Sequence, residues 1–171
     1  MKGGIRLAIL LAVLVAPFSV LNAAGQIFFF QNSLVGDPVP DFTSDTLQTQ
    51  KVSMSQLRGS NPAVVFFWAT WCPHCRTQLE ELNKQKPELE GKGVKVMLVD
   101  LGEDASDVSR YLKRQNITMD SFLDSDGAIA EKYSIMGVPT FVLVDKDGIV
   151  RFVEHALPKN YGELILKPLG K

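Results

Sequence analysis

Residues 63–75 read AVVFFWATWCPHC, an unbroken apolar run that leads directly into two cysteines three positions apart. The seven apolar residues Ala63–Ala69 show no alternation, which is typical of a β-strand buried on both faces of a sheet. Pro73 stands where the first turn of a helix tolerates proline. The segment therefore predicts a central strand, a tight turn and a helix that begins beside the cysteines.

The residues after Pro73 continue as an amphipathic helix. Apolar side chains recur there at helical spacing, and charged residues between them face away from the core. Pro87 is expected to end or kink this helix, because an interior proline removes a backbone hydrogen bond. The apolar positions are Cys75, Leu79, Leu82 and Leu89, and the charged positions are Glu80, Glu81 and Lys84.

Strand and helix patterns alternate along the rest of the chain, which predicts an α/β sandwich in one domain, residues 35–171. Val52 and Met54 alternate with serines, as in a short strand. Two Asp-X-Asp-Gly turns are expected to be hairpins, since they lack the third acidic ligand and the closing glutamate of a calcium loop. The turns are 124–127 and 145–148; the other expected elements are strands over 94–101, 140–144 and 149–153, an extended stretch at 122–123, and helices over 106–115 and from Lys159.

The composition excludes a collagen, a coiled-coil rod and a disordered chain. The chain has 171 residues, of which 46% are hydrophobic and 22% charged, as expected for one folded domain with a short extension. Its 18 basic and 19 acidic residues give a net charge of -1, so there is no positive excess to hold a polyanion. We therefore expect no nucleic-acid partner.

The first thirty residues have the pattern of a targeting segment. Lys2 and Arg6 precede the apolar run Leu7–Val15, and no charged residue follows until Asp37. A basic start before an apolar stretch is typical of an export signal whose positive end stays in the cytoplasm. We therefore interpret residues 1–30 as a signal peptide or a membrane anchor, which places the domain outside the cytoplasm.

The sequence leaves both cleavage and anchorage open. Small residues at Ala23-Ala24-Gly25 suit a cleavage site, yet Phe28-Phe29-Phe30 would leave an apolar new terminus. Residues 7–30 number 24, enough to cross a hydrocarbon core of ~30 Å, although Pro17 and Asn22 weaken the span. Export matters for the chemistry, because disulfides persist outside the cytoplasm and are kept reduced inside it.

The two cysteines carry most of the functional information. Cys72 lies at the N-terminus of the predicted helix, where the helix dipole and free backbone N–H groups stabilise a thiolate and lower its pKa. Its sulfur is the candidate nucleophile, and Cys75, one turn deeper, is the candidate resolving thiol. Pro73 preorganises the turn, and His74, when protonated, stabilises the thiolate and makes the pair a stronger oxidant. Trp71 is expected to shape the face that a partner touches.

Other roles for the cysteines are weaker alternatives. A structural disulfide is disfavoured, since a bond between residues three apart constrains the unfolded chain only slightly. A metal site would need Cys72, His74, Cys75 and the distant His155, which we otherwise interpret as an ordinary residue after the last strand. Haem attachment requires a histidine directly after the second cysteine, where this chain has Arg76. We therefore expect no metal.

Three motifs together resemble the thioredoxin superfamily, and within it the TlpA/ResA-like extracytoplasmic thiol-disulfide oxidoreductases, which have a redoxin or AhpC/TSA-like domain. These motifs are VGDPVPDF at 35–42, FFWATWCPHC at 66–75 and GVPT at 137–140. The resemblance implies a thioredoxin-like three-layer sandwich with a central mixed sheet flanked by helices.

The resemblance also implies how the site works. Pro139 is expected to be cis and to lie against the disulfide, and the Val138 backbone to pair with a bound polypeptide; with Trp71 they are the candidate substrate-binding residues. The reaction implied is exchange of the Cys72–Cys75 disulfide or dithiol with protein thiols, without a cofactor, because the sulfur pair holds the electrons. The partners implied are protein substrates and a membrane or extracytoplasmic redox partner, in pathways that include cytochrome c maturation.

Two opposing features bear on the direction of electron flow. Pro73-His74 and the valine before Pro139 look like the strongly oxidising DsbA type. However, only 36 residues separate Leu101 from Val138, too few for the large helical insertion of that type. The scaffold therefore favours a reductase, with a DsbA-like oxidant as the alternative.

Departures from the family patterns bear on the proton route and on two further alternatives. Phe66 stands where thioredoxins have a buried aspartate, and Gln78 where many TlpA/ResA-like proteins have a glutamate, so the proton-transfer residue is unassigned. A peroxiredoxin-like peroxidase would have a threonine at the position of Ala69. Copper-binding chaperones of the Sco type use two cysteines and a distant histidine such as His155, but their cysteines are one residue further apart.

Overall fold

The structure, a computed structural model, describes residues 32–48 and 51–166. The predicted signal or anchor at 1–30 lies outside the described residues. No helix within the described ranges is long and apolar enough to cross a membrane. The elements are β1 (Thr43–Ser44), β2 (Val52–Ser53), α1 (Met54–Arg58), β3 (Ala63–Trp68), α2 (Pro73–Gly91), β4 (Lys95–Leu101), α3 (Ala105–Arg114), β5 (Ser121–Asp124), α4 (Ala128–Lys132), β6 (Thr140–Val144), β7 (Val150–Glu154) and α5 (Tyr161–Ile165).

Five strands form one mixed sheet in the order β5-β4-β3-β6-β7. The pairs β3–β4 and β4–β5 are parallel, and the pairs β3–β6 and β6–β7 are antiparallel. The apolar run 63–69 therefore supplies the central strand, as predicted. Since α2 follows β3 directly, the cysteines lie at the end of the most buried strand.

Helices cover both faces of the sheet and complete three layers, as expected. Val64, Phe66 and Trp68 of β3 pack on the face covered by α2, α3 and α5. Val65 and Phe67 pack on the other face with α1 and α4. All five side chains are fully buried, and burying a large apolar side chain contributes about 1.5–3 kcal/mol. This packing fixes the end of β3 from which the active-site loop emerges.

Met54 begins α1 instead of continuing a strand, which corrects the alternation seen in the sequence. The Ser53 hydroxyl accepts the Gln56 N–H at 3.1 Å, and the Gln56 side chain accepts the Ser53 N–H at 2.9 Å. This reciprocal capping box stabilises the helix start. The strand is therefore limited to Val52–Ser53, and Met54 is buried in the core.

Pro87 does not end α2, which continues to Gly91. Leu82 and Leu89, on either side of the proline, are both buried. Their packing against the sheet outweighs the hydrogen bond that the proline removes. The helix that carries the cysteines is therefore 19 residues long.

The two Asp-X-Asp-Gly turns differ from each other. The turn at 145–148 joins β6 to β7 as the predicted hairpin, with Gly148 at φ 83°. The turn at 124–127 leads from β5 into a helix, because the Asp124 carboxylate accepts the N–H groups of Ile129 and Ala130 in α4. The hairpin expectation was wrong for this second turn.

Candidate active site

The loop between β3 and α2 ends at Cys72, which caps the N-terminus of the helix. Its backbone is extended, with φ -89° and ψ 109°, and its Sγ accepts the Cys75 N–H at 3.1 Å. The Arg76 N–H donates to the Cys72 carbonyl oxygen at 3.2 Å. A backbone donor and the positive end of a long helix therefore meet at this sulfur.

A disulfide joins Cys72 to Cys75, whose Cα atoms lie 5.2 Å apart. Cys72 is 6% exposed and Cys75 is not exposed at all, because Cys75 belongs to the core cluster with Leu79. Pro73 and His74 are exposed in the first turn of α2. Of the two cysteines, only Cys72 has any solvent exposure.

The cis-proline loop faces the disulfide. The Val138–Pro139 peptide bond is cis, as the resemblance implies. The Val138 carbonyl oxygen lies 3.8 Å from Cys72 Sγ. Trp71, adjacent to Cys72, is 65% exposed. The structure thus brings the backbone before Pro139 next to the Cys72 sulfur, with an exposed aromatic ring beside it.

His155 contacts the cis-proline loop, a placement that the sequence did not reveal. Its Nδ1 lies 2.7 Å from the Pro139 carbonyl oxygen and 3.4 Å from Thr140 Oγ1. The Pro139 carbonyl oxygen can only accept, and the Thr140 hydroxyl donates to the Gly137 carbonyl oxygen at 2.7 Å, so Nδ1 carries a hydrogen. Within the described ranges, no group of three or more histidine, cysteine or acidic side chains is arranged to hold a metal ion.

A groove of about 650 Å³ opens beside the same loop. Its walls include Ile135, Met136, Phe152 and His155, and neither cysteine borders it. Met136 is 98% exposed, although no pattern in the sequence distinguishes it. The groove therefore shares the loop with the disulfide site but does not contain the reacting atoms.

An acidic side chain, Glu103, holds the active-site loop, and a second acid, Asp100, lies behind it. The Thr70 N–H and hydroxyl donate to the two carboxylate oxygens of Glu103, each at 2.5 Å. The Glu103 N–H donates to Asp100 Oδ1 at 3.3 Å. Asp100 lies in β4 opposite Trp68 and is completely buried. The signal in the sequence was an aspartate inside the apolar strand 94–101.

The Asp100 carboxyl favours its protonated form. Burial raises the pKa of Asp100 to about 8, and the hydrogen bond and charge of Glu103 act in the same direction, followed by the charge of Asp124. The backbone N–H of Glu103 lowers this pKa but does not offset the other effects. A neutral acid therefore lies behind the loop at pH 7.

The two positions at which the family patterns have an acid, 66 and 78, carry no acid in this chain. Phe66 is fully buried and stacks on Phe141, with ring centroids 4.3 Å apart. Gln78 is half-buried on α2. The carboxyl group that reaches the active-site loop comes instead from Glu103, just after β4, and Asp100 of β4 accepts the Glu103 N–H behind it.

Comparisons with known proteins agree with this geometry. The sequence model of the AhpC/TSA family matches residues 35–153. The thiol-disulfide oxidoreductase ResA of Bacillus thuringiensis subsp. konkukian is 28% identical over 136 residues, which cover 79% of this chain and 78% of that protein. The thiol:disulfide interchange protein DsbE of Yersinia pestis is 32% identical over 155 residues, which cover 86% of this chain and 80% of that protein.

Solved structures confirm the predicted thioredoxin-like fold. The thioredoxin domain of a thiol-disulfide oxidoreductase from Bacteroides vulgatus gives a TM-score of 0.65 at 25% identity, covering 74% of this chain and 91% of that chain. A thiol:disulfide interchange protein of the thioredoxin family from Chlorobium tepidum TLS gives a TM-score of 0.66 at 22% identity, covering 76% of this chain and 96% of that chain.

Proposed function

The chain belongs to the AhpC/TSA family, with ResA and DsbE among its relatives, and from this premise we propose that it reduces protein disulfides outside the cytoplasm. The activity itself is thiol-disulfide oxidoreduction by a Cys-X-X-Cys pair. One observation carries the exchange chemistry: Cys72 caps α2 with its Sγ, is the more exposed of the two cysteines, and holds that Sγ 3.8 Å from the Val138 carbonyl oxygen.

In the proposed reaction the dithiol form of the protein meets a substrate disulfide. The Cys72 thiolate attacks one substrate sulfur and forms a mixed disulfide, while the other substrate sulfur leaves as a thiolate and takes up a proton. Cys75 then loses its proton and attacks Cys72 Sγ, which closes the Cys72–Cys75 bond and releases the second substrate thiol. Two electrons and two protons have passed to the substrate, so the reaction needs no cofactor.

Residues around the sulfur are proposed to position the substrate and tune the thiolate. A polypeptide that pairs with the Val138 backbone, next to Pro139, would present its own sulfur to Cys72. The exposed ring of Trp71 offers apolar contact area on the same side. Pro73 preorganises the first turn of α2, and a protonated His74 would favour the Cys72 thiolate.

The proposed location rests on residues 1–30, whose basic start and apolar stretch are typical of an export signal or anchor. There a membrane-bound or extracytoplasmic dithiol donor must restore the Cys72 and Cys75 thiols after each turnover. Cell fractionation tests this proposal, since the full chain should appear in the membrane or in the extracytoplasmic fraction.

Trapping of the mixed disulfide tests the mechanism. In Cys75→Ser, Cys72 can attack a substrate but nothing resolves the adduct, so covalent complexes that dithiothreitol releases should accumulate in cells. Cys72→Ser is the matched control, because the first attack is lost while one thiol remains. Equal amounts of adduct in the two variants, or none in either, would refute nucleophilic exchange at Cys72.

Equilibration of the purified protein with glutathione tests the direction. A reduction potential below about -250 mV supports a reductase, and one near about -120 mV would instead assign the DsbA-like oxidant role that Pro73-His74 resembles. Rapid consumption of peroxide with a thiol donor would assign a peroxidase. Tight copper binding by the dithiol form that is lost in His155→Ala would assign a copper chaperone.

A further inference from the structure

Asp100 is a buried carboxyl whose hydrogen-bonding needs are not met. It has no solvent exposure, and its register partner in β3 is Trp68, so its side chain lies on the sheet face that packs against α2. Oδ1 accepts the Glu103 N–H, whereas no N–H or O–H donor within the described residues satisfies Oδ2. An ionised carboxylate here would be a buried charge with one unsatisfied oxygen.

Glu103 is the opposite case, because both of its oxygens are satisfied. One accepts the Thr70 hydroxyl and the other accepts the Thr70 N–H. These two hydrogen bonds fix the Glu103 carboxyl group against the backbone and the side chain of Thr70. The Asp100 carboxyl lies within hydrogen-bonding reach of Glu103, so a proton on Asp100 would be donated to a carboxylate that already holds the loop.

Thr70 connects these two carboxyls to the reacting sulfur. It precedes Cys72 by two residues, and the Cys72 N–H donates to the carbonyl oxygen of the adjacent Ala69 at 3.3 Å. We propose that Asp100 and Glu103 share one proton behind this loop, and that the protonation state of this carboxyl pair sets the pH range in which Cys72 exchanges. The inference rests on the proposed exchange reaction and gives both residues a positioning role.

The surrounding groups support one shared proton. Burial, then Glu103, then Asp124 raise the pKa of Asp100 to about 8. Asp124 directs its carboxylate to the N–H groups of α4, on the other face of the sheet. On the face that Asp100 shares, α2 presents Cys75 and α3 presents Tyr111, whose pKa is raised by burial. In the disulfide form, neither of these side chains is charged near pH 8.

Loss of the shared proton has two effects on the site. The carboxyl pair then carries two negative charges, which disfavour a Cys72 thiolate. It also removes the hydrogen bond from Asp100 to the carboxylate that holds Thr70. Because binding free energies are reciprocal, a Cys72 thiolate must in turn hold the Asp100 proton more tightly.

Carbon-13 NMR of the aspartate carboxyls measures this coupling directly in the full protein. The Asp100 resonance, assigned by its absence in Asp100→Asn, should titrate near pH 8 in the disulfide form. The pH midpoint of this titration should be higher in the dithiol form than in the disulfide form by about half a pH unit or more. Cys72→Ser cannot form the disulfide and has no thiolate at this position, so its Asp100 midpoint in reducing buffer should equal that of the wild-type disulfide form.

Two further variants separate the pair from a general loss of charge. Glu103→Gln should lower the Asp100 midpoint by about one unit or more, since a neutral amide that can donate replaces a carboxylate. Asp104→Asn is the matched control: this exposed acid is next to Glu103 and makes no side-chain cap hydrogen bond, so its removal should leave the midpoint unchanged.

The same coupling should appear in the chemistry. The rate of Cys72 alkylation in the dithiol form should follow two ionisations in the wild type and one in Asp100→Asn. Titration of Asp100 below pH 5, or one midpoint in both redox forms, would overturn the inference. Failure of Cys75→Ser to trap substrates would refute the proposed function and leave the carboxyl titration measurable, so the two failures are distinguishable.

Discussion

Replacement of Asp100 by asparagine should remove a pH dependence of folding stability. Burial and Glu103 raise the pKa of Asp100 to about 8 in the folded protein, against an ordinary value of 3.8. Between these two values the folded state holds one proton that the unfolded chain has lost. The contribution of Asp100 to the free energy of unfolding therefore decreases as the pH rises through this window, and this contribution is level below pH 3.8 and above pH 8.

The size of the effect follows from the proton difference. A difference of one bound proton changes the free energy of unfolding by about 1.4 kcal/mol per pH unit, which gives an upper limit of about 4 kcal/mol between pH 5 and pH 8. We expect about 2 kcal/mol, because water that reaches the half-buried Glu103 screens the pair. Asp41 and Asp145 have a lowered pKa, so their titration ends below this window.

Urea denaturation at four pH values between 5 and 8, with the disulfide intact, measures this change. The wild type should lose stability steadily, whereas Asp100→Asn should be nearly level and more stable than the wild type at pH 8. Asparagine retains an oxygen for the Glu103 N–H and gains an amide donor toward the Glu103 carboxylate. Asp104→Asn should follow the wild-type slope.

The reasoning fails if the wild type is level over this pH range, because Asp100 would then be ionised in the folded protein. It also fails if Asp100→Asn keeps the wild-type slope, since another group would then bind the proton. The denaturant slope m must stay constant across variants and pH, so that changes in midpoint report stability alone.

Three further predictions concern the loop, the surface and the core. Glu103→Ala should lower the free energy of unfolding by about 1–3 kcal/mol in urea denaturation, because two Thr70 donors lose a charged acceptor. Thr70→Val should lower it by less, since only the hydroxyl donor is removed. Trp71→Ala should raise KM for a protein disulfide about threefold with little change in stability. Leu57→Ala, which removes another exposed apolar side chain, should change neither. Equal KM values for Trp71→Ala and the wild type would exclude a substrate-binding role for Trp71. Leu79→Ala should lower the free energy of unfolding by about 3 kcal/mol, because the fully buried side chain leaves a cavity under Cys75; a cost under about 1 kcal/mol would contradict this packing.

Elements that depend on residues close together in the chain, such as the central strand and the start of α2, could be predicted from the sequence. The apolar run 63–69 identifies the central strand, because only a strand covered on both faces tolerates it. Pro73 and the cysteine spacing locate the start of α2 with Cys72 at its cap. The cis bond before Pro139 came from the resemblance and not from any local pattern, since most X–Pro bonds are trans.

The errors arose where packing or capping outweighed a local preference. Pro87 was expected to end or kink α2, and the burial of neighbouring leucines on the sheet carries the helix past it to Gly91. Met54 continues a strand alternation, but the reciprocal Ser53 and Gln56 hydrogen bonds start a helix there. Asp124 looks like a hairpin residue, and its function as an acceptor for α4 depends on where that helix packs.

His155 shows a different limit of sequence reasoning. It contacts Pro139, 16 residues earlier, because β6 and β7 form a hairpin that brings the end of one strand beside the start of the other. The hairpin itself was predicted, but which side chain would reach the cis-proline carbonyl depends on a register shift at Leu143 and Val144. The contact therefore requires the three-dimensional register.

The proton route illustrates the same point at the reacting centre. The family pattern directs attention to Phe66 in β3, where the aromatic stack on Phe141 leaves no acid. The register of the parallel pair places Leu98 opposite Phe66 and Asp100 opposite Trp68. An acid therefore lies one strand over and two residues nearer the active-site loop, on the face that carries Cys75. The register between two distant segments cannot be predicted from either segment alone. A carboxyl that is absent from its expected position can therefore be supplied by the adjacent strand. Burial against the same core favours the neutral acid there as well.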